Sequence, residues 1–292
     1  MDEIQDRLHD KLTKYRQSLI GASLSQNNWP MADSTIKKIF KERPGYSNST
    51  INMLNMQFLL QRSNWQLNNG DHGAGGAAIV KLIQDARKSV GELVSTKDRV
   101  KWQLFEGDVC RSLLDQVETS DKLWEVLSNG TVPDFATLVS PANAKNRDKA
   151  LHQLEQLTFN SYDHASSECG DIKGKDEIDL RQSVSLALVK FCDHFLRQHE
   201  DDGVPLKKER EVYPAVLIDQ LLACLQLGFE EDAVQLLPRT MQMFERYPAI
   251  KERFVKGARD VPVWMFIKWI PQLVALLDKP EYGIFFLIMS FS

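Results

Sequence analysis

The chain has few cysteines, no excess of positive charge and no long apolar run, and each lack removes a class of function. Four Cys occur in 292 residues, Cys110, Cys169, Cys192 and Cys224, and none forms a CxxC pair. That excludes a dense disulfide framework and fits thiols kept reduced in the cytosol or nucleus. The formal net charge is -4. No global basic field therefore draws nucleic acid, and any DNA contact has to be local or made by a partner. The longest purely apolar run, Ile284–Met289, is far short of the ~20 residues that span a bilayer, so no membrane association is expected. The opening MDEIQDRLHDKL is charged throughout, unlike a signal or transit peptide.

Catalytic signatures are lacking too. There is no GxSxG and no HExxH. The glycine cluster Gly70–Gly76 (GDHGAGG) precedes a helical pattern, where a phosphate cradle would sit. It has neither the Lys-Ser/Thr of a P-loop nor a strand leading into it, so it reads as a structural turn. Cys192 and His194 are two residues apart, and a helix points such neighbours in different directions. His164 and Cys169 share a segment that reads as a flexible loop, which makes no zinc site. The acidic runs Glu200-Asp201-Asp202 and Glu230-Glu231-Asp232 fall at helix ends or in a connector, whereas a general acid needs an apolar pocket. Leu206–Arg210 (LKKER) and the set Lys251, Arg253, Lys256 and Arg259 read as solvated faces, without the interleaved aromatics that stack on bases. Accordingly no catalytic, cofactor-binding or metal-ligating residue is assigned.

Helical periodicity is what the chain does contain. Apolar residues recur at 3.6-residue spacing almost throughout, and no strand-like alternation persists. Ile4, Leu8, Leu12, Tyr15 and Leu19 form a first stripe. Pro30 opens a helix with Ile36, Ile39 and Phe40 on one face, closed by Pro44-Gly45. Ile51, Leu54 and Phe58 mark a third, with Asn48 and Ser49 as caps. Ile79–Leu93 and Val100–Val117 follow, then a short helix at Asp121–Ser128. The stretch 129–144 reads as a surface wrap around a short turn at Phe135–Leu138. Asp148–Phe159 and Leu180–Gln198 are helical, and Val216–Leu227 ends at Gly228, a good C′ residue. The pattern predicts an all-α fold, a degenerate helical-hairpin (TPR/HEAT-like) solenoid, with a compact bundle as the competitor. The organisation expected is N-terminal repeats over 1–159, a flexible loop over 160–176, C-terminal repeats over 177–279 and an atypical apolar tail over 280–292. Ile284–Met289 in that tail combines β-propensity with no charge, an aggregation hazard if exposed. Deleting Gly283–Ser292 is expected to raise the soluble yield, measured after centrifugation of the expressed protein.

The densest stretch is Val234–Asp278, read as three short helices. In Val261–Leu277, the residues Trp264, Phe266, Ile267, Trp269, Ile270, Leu273, Val274, Leu276 and Leu277 cover nearly the whole circumference. A helix apolar all round is expected to be buried all round, with Pro271 breaking or kinking it. Four features come in order from Tyr213 onward: Tyr213-Pro214, the LPR of Leu237–Arg239, the ERYP of Glu245–Pro248 and the Pro-x-Trp-x-Phe-Ile-x-Trp-Ile of Pro262–Ile270. With Val274–Lys279, and more weakly Lys190–Arg197 (KFCDHFLR), they resemble the FAT region of the phosphatidylinositol-kinase-related kinases. The likeness is good over Tyr213–Lys279.

The resemblance implies a helical solenoid that clasps a kinase domain. In the branch acting in non-homologous end joining it implies a nuclear serine/threonine protein kinase brought to DNA ends by the Ku heterodimer. The kinase domain of such a parent would use ATP and Mg. This chain has neither a DRHxxN-type loop nor a DFG, so none of those residues carries over and no cofactor is expected here. The likeness stops after Lys279-Pro280, and a truncated or mis-joined product is expected. The alternative reading is an unrelated helical-repeat adaptor that holds a peptide or partner helix in its groove. A third is a protein tethered to membrane through Ile284–Phe291.

Overall fold

A computed structural model describes residues 12, 15–16, 18–23, 26, 28–42, 49–93, 95–170, 172, 174, 177–202, 206–228, 233 and 235–269. Among these every regular element is helical. The fold is all-α, built of packed helical hairpins, as the periodicity predicts. Two compact units divide at Ser161 and Tyr162.

In the first unit, helices α1 (Trp29–Glu42), α2 (Ser49–Asn68), α3 (His72–Glu92), α4 (Thr96–Thr119), α5 (Asp121–Ser128) and α6 (Pro133–Val139) follow one another on short links. The link residues explain the starts. Asp71 accepts a hydrogen bond from the Ala74 amide, and Ser95 accepts one from Asp98, each satisfying a donor that the first turn leaves orphaned. Ser120 serves two helices. Its N–H donates to Gln116 O at the end of α4, and its hydroxyl accepts from the Leu123 amide at the start of α5. Arg147 closes α4 further, donating to the carbonyls of Val117 and Glu118 and to Asp121 Oδ1. Helix α2 packs on α3, and α3 packs on α4, α5 and α6.

The glycines of Gly70–Gly76 do two different jobs. Gly70 turns the chain with φ +87°. Gly75 and Gly76 lie inside α3, where the backbone comes close to its neighbours. A Cβ on Gly75 would stand 2.8 Å from Leu67 Cδ2 and 3.1 Å from the Leu67 backbone nitrogen. Nothing lies within 4 Å of a Cβ on Gly73. Gly73→Ala is therefore expected to stabilise the protein by about 0.5–1 kcal/mol through helix propensity. Gly75→Ala is expected to cost about 1–3 kcal/mol from overpacking. Opposite shifts of the thermal midpoint check the pair.

Helix α7 (Arg147–Cys169) runs across the division. The second unit then holds α8 (Ile178–Asp202), a 3-10 turn (Lys208–Arg210), α9 (Tyr213–Leu227), α10 (Leu237–Arg246), α11 (Ile250–Ala258) and a 3-10 segment (Val263–Trp269). The pair α8 and α9 packs most extensively, and α9 also packs on α11. Gly228 ends α9 with φ +138°, a conformation that an L side chain rarely adopts.

Several expectations are corrected. The flexible loop over 160–176 is helical as far as Cys169. Tyr162, Ala165 and Cys169 are buried at helical spacing, and the serines satisfy themselves: the Ser161 hydroxyl donates to Leu157 O and that of Ser167 to Asp163 O. The first stripe is shifted, since Leu12 and Tyr15 are exposed and Ile20 is the fully buried residue. The wrap at 129–144 contains a true helix, α6, whose Phe135, Leu138 and Val139 are core. The all-round burial expected of Val261–Leu277 fails where the structure describes it. Residues 263–269 form a 3-10 helix in which Met265 and Phe266 are buried, while Trp264 is 52% and Ile267 59% exposed. Residues 264 and 267, three apart, share one side, and that side faces outward, so the buried face is narrower than expected. The Pro44-Gly45 stop, the Glu230-Glu231-Asp232 run, the break at Pro271 and the 280–292 tail lie outside the described residues.

Candidate functional site

The polar centre of the second unit is a buried cluster of ions joining α8 to α10. Asp193 sits mid-way along α8, one turn after Val189 and one before Arg197. Its Oδ1 accepts from Arg239 Nε at 2.7 Å, and its Oδ2 accepts from Arg197 Nε at 2.7 Å. Arg239 also donates through Nη2 to Glu200 at 2.8 Å. Arg239 and Asp193 are each 9% exposed. Arg197, 56% exposed, is the outer member. Arg246, at the end of α10, donates to the Glu200 carbonyl at 3.4 Å. Burial pulls the Arg239 guanidinium down, but hydrogen bonds to Glu200 and Asp193 more than reverse this, and its pKa lies above the ordinary value. Burial, then the Glu200 charge, push the Tyr247 hydroxyl above its ordinary value.

One guanidinium holding two carboxylates by its fork is a geometry that lysine cannot reproduce. The local sequence explains it. Pro238 occupies the first turn of α10, where its missing N–H costs nothing, and so fixes where Arg239 leaves the helix. Thr240 beside it is fully buried, with its hydroxyl on Leu236 O.

A ring cluster lies on the other side of α8, flanking Asp193 in sequence. Phe191 and Phe195 stand 5.0 Å apart between centroids, and Tyr213 meets them at 5.9 and 6.4 Å. Tyr162 meets Phe191 edge-on at 6.0 Å. The Arg210 guanidinium lies 4.6 Å over the Phe195 ring. The LKKER connector, expected to be solvated, is therefore anchored at its end. On α11, Arg253 pairs with Asp219 of α9 while Lys256 and Arg259 are exposed.

Three sequence motifs meet in this unit: KFCDHFLR supplies Phe191, Asp193, Phe195 and Arg197, LPR supplies Arg239, and ERYP supplies Arg246 and Tyr247. The resemblance points to these motifs without giving them a role. The signal available was a charged residue held at fixed places inside otherwise apolar helical patterns. KFCDHFLR and LPR join α8 to α10 through Asp193 and Arg239, and Arg246 of ERYP meets the Glu200 carbonyl.

No family model matches the chain. It is 29% identical over 185 residues to the DNA-dependent protein kinase catalytic subunit of Mus musculus, covering 60% of this chain. It is 30% identical over 150 residues to that of Gallus gallus, covering 49%. It is 24% identical over 279 residues to that of Xenopus laevis, covering 91%. The chain is similar to a region of the DNA-dependent protein kinase catalytic subunit. It spans only 4% of the Mus musculus and Gallus gallus DNA-dependent protein kinase catalytic subunits and 6% of the Xenopus laevis one. The described residues contain no strand, and so no counterpart of the strand that carries the phosphate-binding Lys of a protein kinase. No helix among them is long and apolar enough to cross a membrane.

The remaining candidate residues do not assemble into a reactive site. His164 is exposed and Cys169 buried on the same helix. All four Cys are buried. Burial pushes the Cys110 thiol up to about 12 and the Cys169 thiol to about 11, so both stay protonated and unreactive at neutral pH. Their contribution to stability is complete below their ordinary value of 9.0. It is lost as pH rises from there toward the raised values, because the unfolded thiols ionise first. Native protein at pH 8 is expected to resist alkylation at Cys110 and Cys169, and to react fully in denaturant, as intact mass will report.

Proposed function

We propose that the chain is a non-catalytic helical scaffold, the FAT region of a DNA-dependent serine/threonine protein kinase that acts in double-strand break repair by non-homologous end joining. The observation that carries this reading is the convergence of KFCDHFLR and LPR on one buried ion cluster, with Arg246 of ERYP at its exposed edge. Two of the motifs that carry the resemblance lock α8 to α10 through Asp193 and Arg239, which is what a scaffold requires. Similarity to DNA-dependent protein kinase catalytic subunits supports the parentage. On this reading the chain works in the nucleus and its direct partner is the kinase domain of the parent protein. The Ku heterodimer and DNA ends are partners of the whole protein. ATP and Mg belong to the kinase domain, and this chain binds neither.

The test is co-expression with a separately encoded kinase domain of a DNA-dependent protein kinase catalytic subunit, followed by gel filtration. Co-elution is expected, with no phosphate transfer from ATP by the chain alone. Separate elution sinks the scaffold reading. Phosphate transfer abolished by substituting one of this chain's own residues sinks the non-catalytic one.

A further inference from the structure

The first unit carries a groove that the ion cluster and the motifs leave unexplained. It lies between α2 and α3, with room for about 320 Å3. Its floor is apolar and low, because Ala74 and Ala78 present only methyl groups beside Leu59 and Leu82. The polar hydroxyl in it, Ser63, is already used on Leu59 O. Two exposed cations flank this floor, Arg62 from α2 and Lys81 from α3. Neither has an ion-pair or hydrogen-bond partner among the described residues. One turn along α2 from Arg62, Trp65 is 51% exposed, at the i+3 position that shares its side of the helix.

The chemistry of these walls narrows the occupant. The volume is at the lower end for ligand pockets, and suits one or two side chains better than a whole cofactor. An apolar floor between two unpaired cations calls for an apolar side chain with carboxylates beside it. Asp85 also lines the groove. It disfavours a continuous polyanion such as a nucleic-acid backbone, and favours a ligand whose negative charge is placed only where the cations are.

We propose that this groove docks an acidic amphipathic segment of a partner protein, with an apolar side chain over Ala74 and Ala78 and flanking carboxylates on Arg62 and Lys81. Such a helix-in-groove contact takes affinity from the buried side chain and orientation from the charges. It involves neither the ion cluster nor a kinase domain, so its outcome is separate from the co-elution test.

The experiment uses the full chain and fluorescence polarisation. The probe is a short labelled peptide with Leu at helical spacing and Glu beside each Leu, compared with a version carrying Gln for every Glu. The Glu peptide is expected to bind more tightly by about tenfold or more, and to weaken as salt rises. The double variant R62E/K81E is expected to lose that preference and to bind a Lys version of the peptide instead. Ala78→Leu, which fills the floor, is expected to weaken the Glu and Gln peptides alike. Circular dichroism checks that the variants stay folded. Equal binding of Glu and Gln peptides overturns the proposal, as does no binding at all or an unchanged R62E/K81E. Full competition by heparin would reassign the cations to general polyanion binding. A dimer lost in R62E/K81E would give the groove to a second copy of the chain.

Discussion

Arg239→Ala is expected to cost about 3–5 kcal/mol of stability, because it strips a buried carboxylate pair of its shared cation. Asp193 would keep Arg197, but that guanidinium is more than half exposed and screened by solvent. Glu200 would keep no other cation from the cluster. A loss of this size lowers the thermal midpoint by roughly 6–20 °C in a protein of this length. Arg197→Ala, on the outer rim, is expected to cost no more than about 1 kcal/mol. Arg239→Lys should fall between, since one ammonium cannot serve both carboxylates by a planar fork. A double-mutant cycle between Asp193→Asn and Arg239→Gln measures the coupling. Equal effects of Arg197→Ala and Arg239→Ala would mean that burial does not set the strength of the cluster.

Phe135→Ala is expected to cost about 3–5 kcal/mol, the range for emptying a buried aromatic site. Its ring is fully buried in α6 and meets Trp124 of α5 edge-on at 6.3 Å. A seven-residue helix cannot sustain itself by its own hydrogen bonds. Its place depends on Phe135, Leu138 and Val139 gripping α3 and α5. Amide exchange over 133–139 is expected to become fast in the variant before the rest of the first unit is affected. A surface wrap, as the sequence alone suggested, would tolerate the same substitution within about 0.5 kcal/mol.

Periodicity was a sound guide wherever burial followed composition. Asp121–Ser128 has the bounds that its pattern predicts, and α9 ends at Gly228 as expected. Periodicity failed where composition misleads. Residues 160–169 look too polar to be packed, yet a serine hydroxyl that donates to the carbonyl one turn back needs no water. Ser161 does this, as do Ser63 and Thr158 elsewhere. At the other extreme, Trp264 and Ile267 look too apolar to be exposed, yet they share one outward side of the 3-10 segment. The ion cluster was out of reach for a different reason. A helical pattern says that Asp193 lies on an inward face and nothing about which residue meets it. Its partner Arg239 is 46 positions away, and no alternation or spacing rule links residues so far apart. The motifs were visible as strings, but their meeting was not.

That separation has a consequence for the order in which the chain can fold as it is made. Asp193 emerges from the ribosome 46 residues before Arg239, so at roughly 5–20 residues per second its second arginine arrives about 2–9 s later. During that interval α8 holds a carboxylate which cannot be buried at low cost, and its inner face stays in water. The corresponding lag in the first unit is shorter, since Arg147 follows the α4 carbonyls that it closes by 30 and 29 positions. Synthesis pauses placed between codons 200 and 239 should therefore prolong protease sensitivity in α8 and leave α3 to α5 protected.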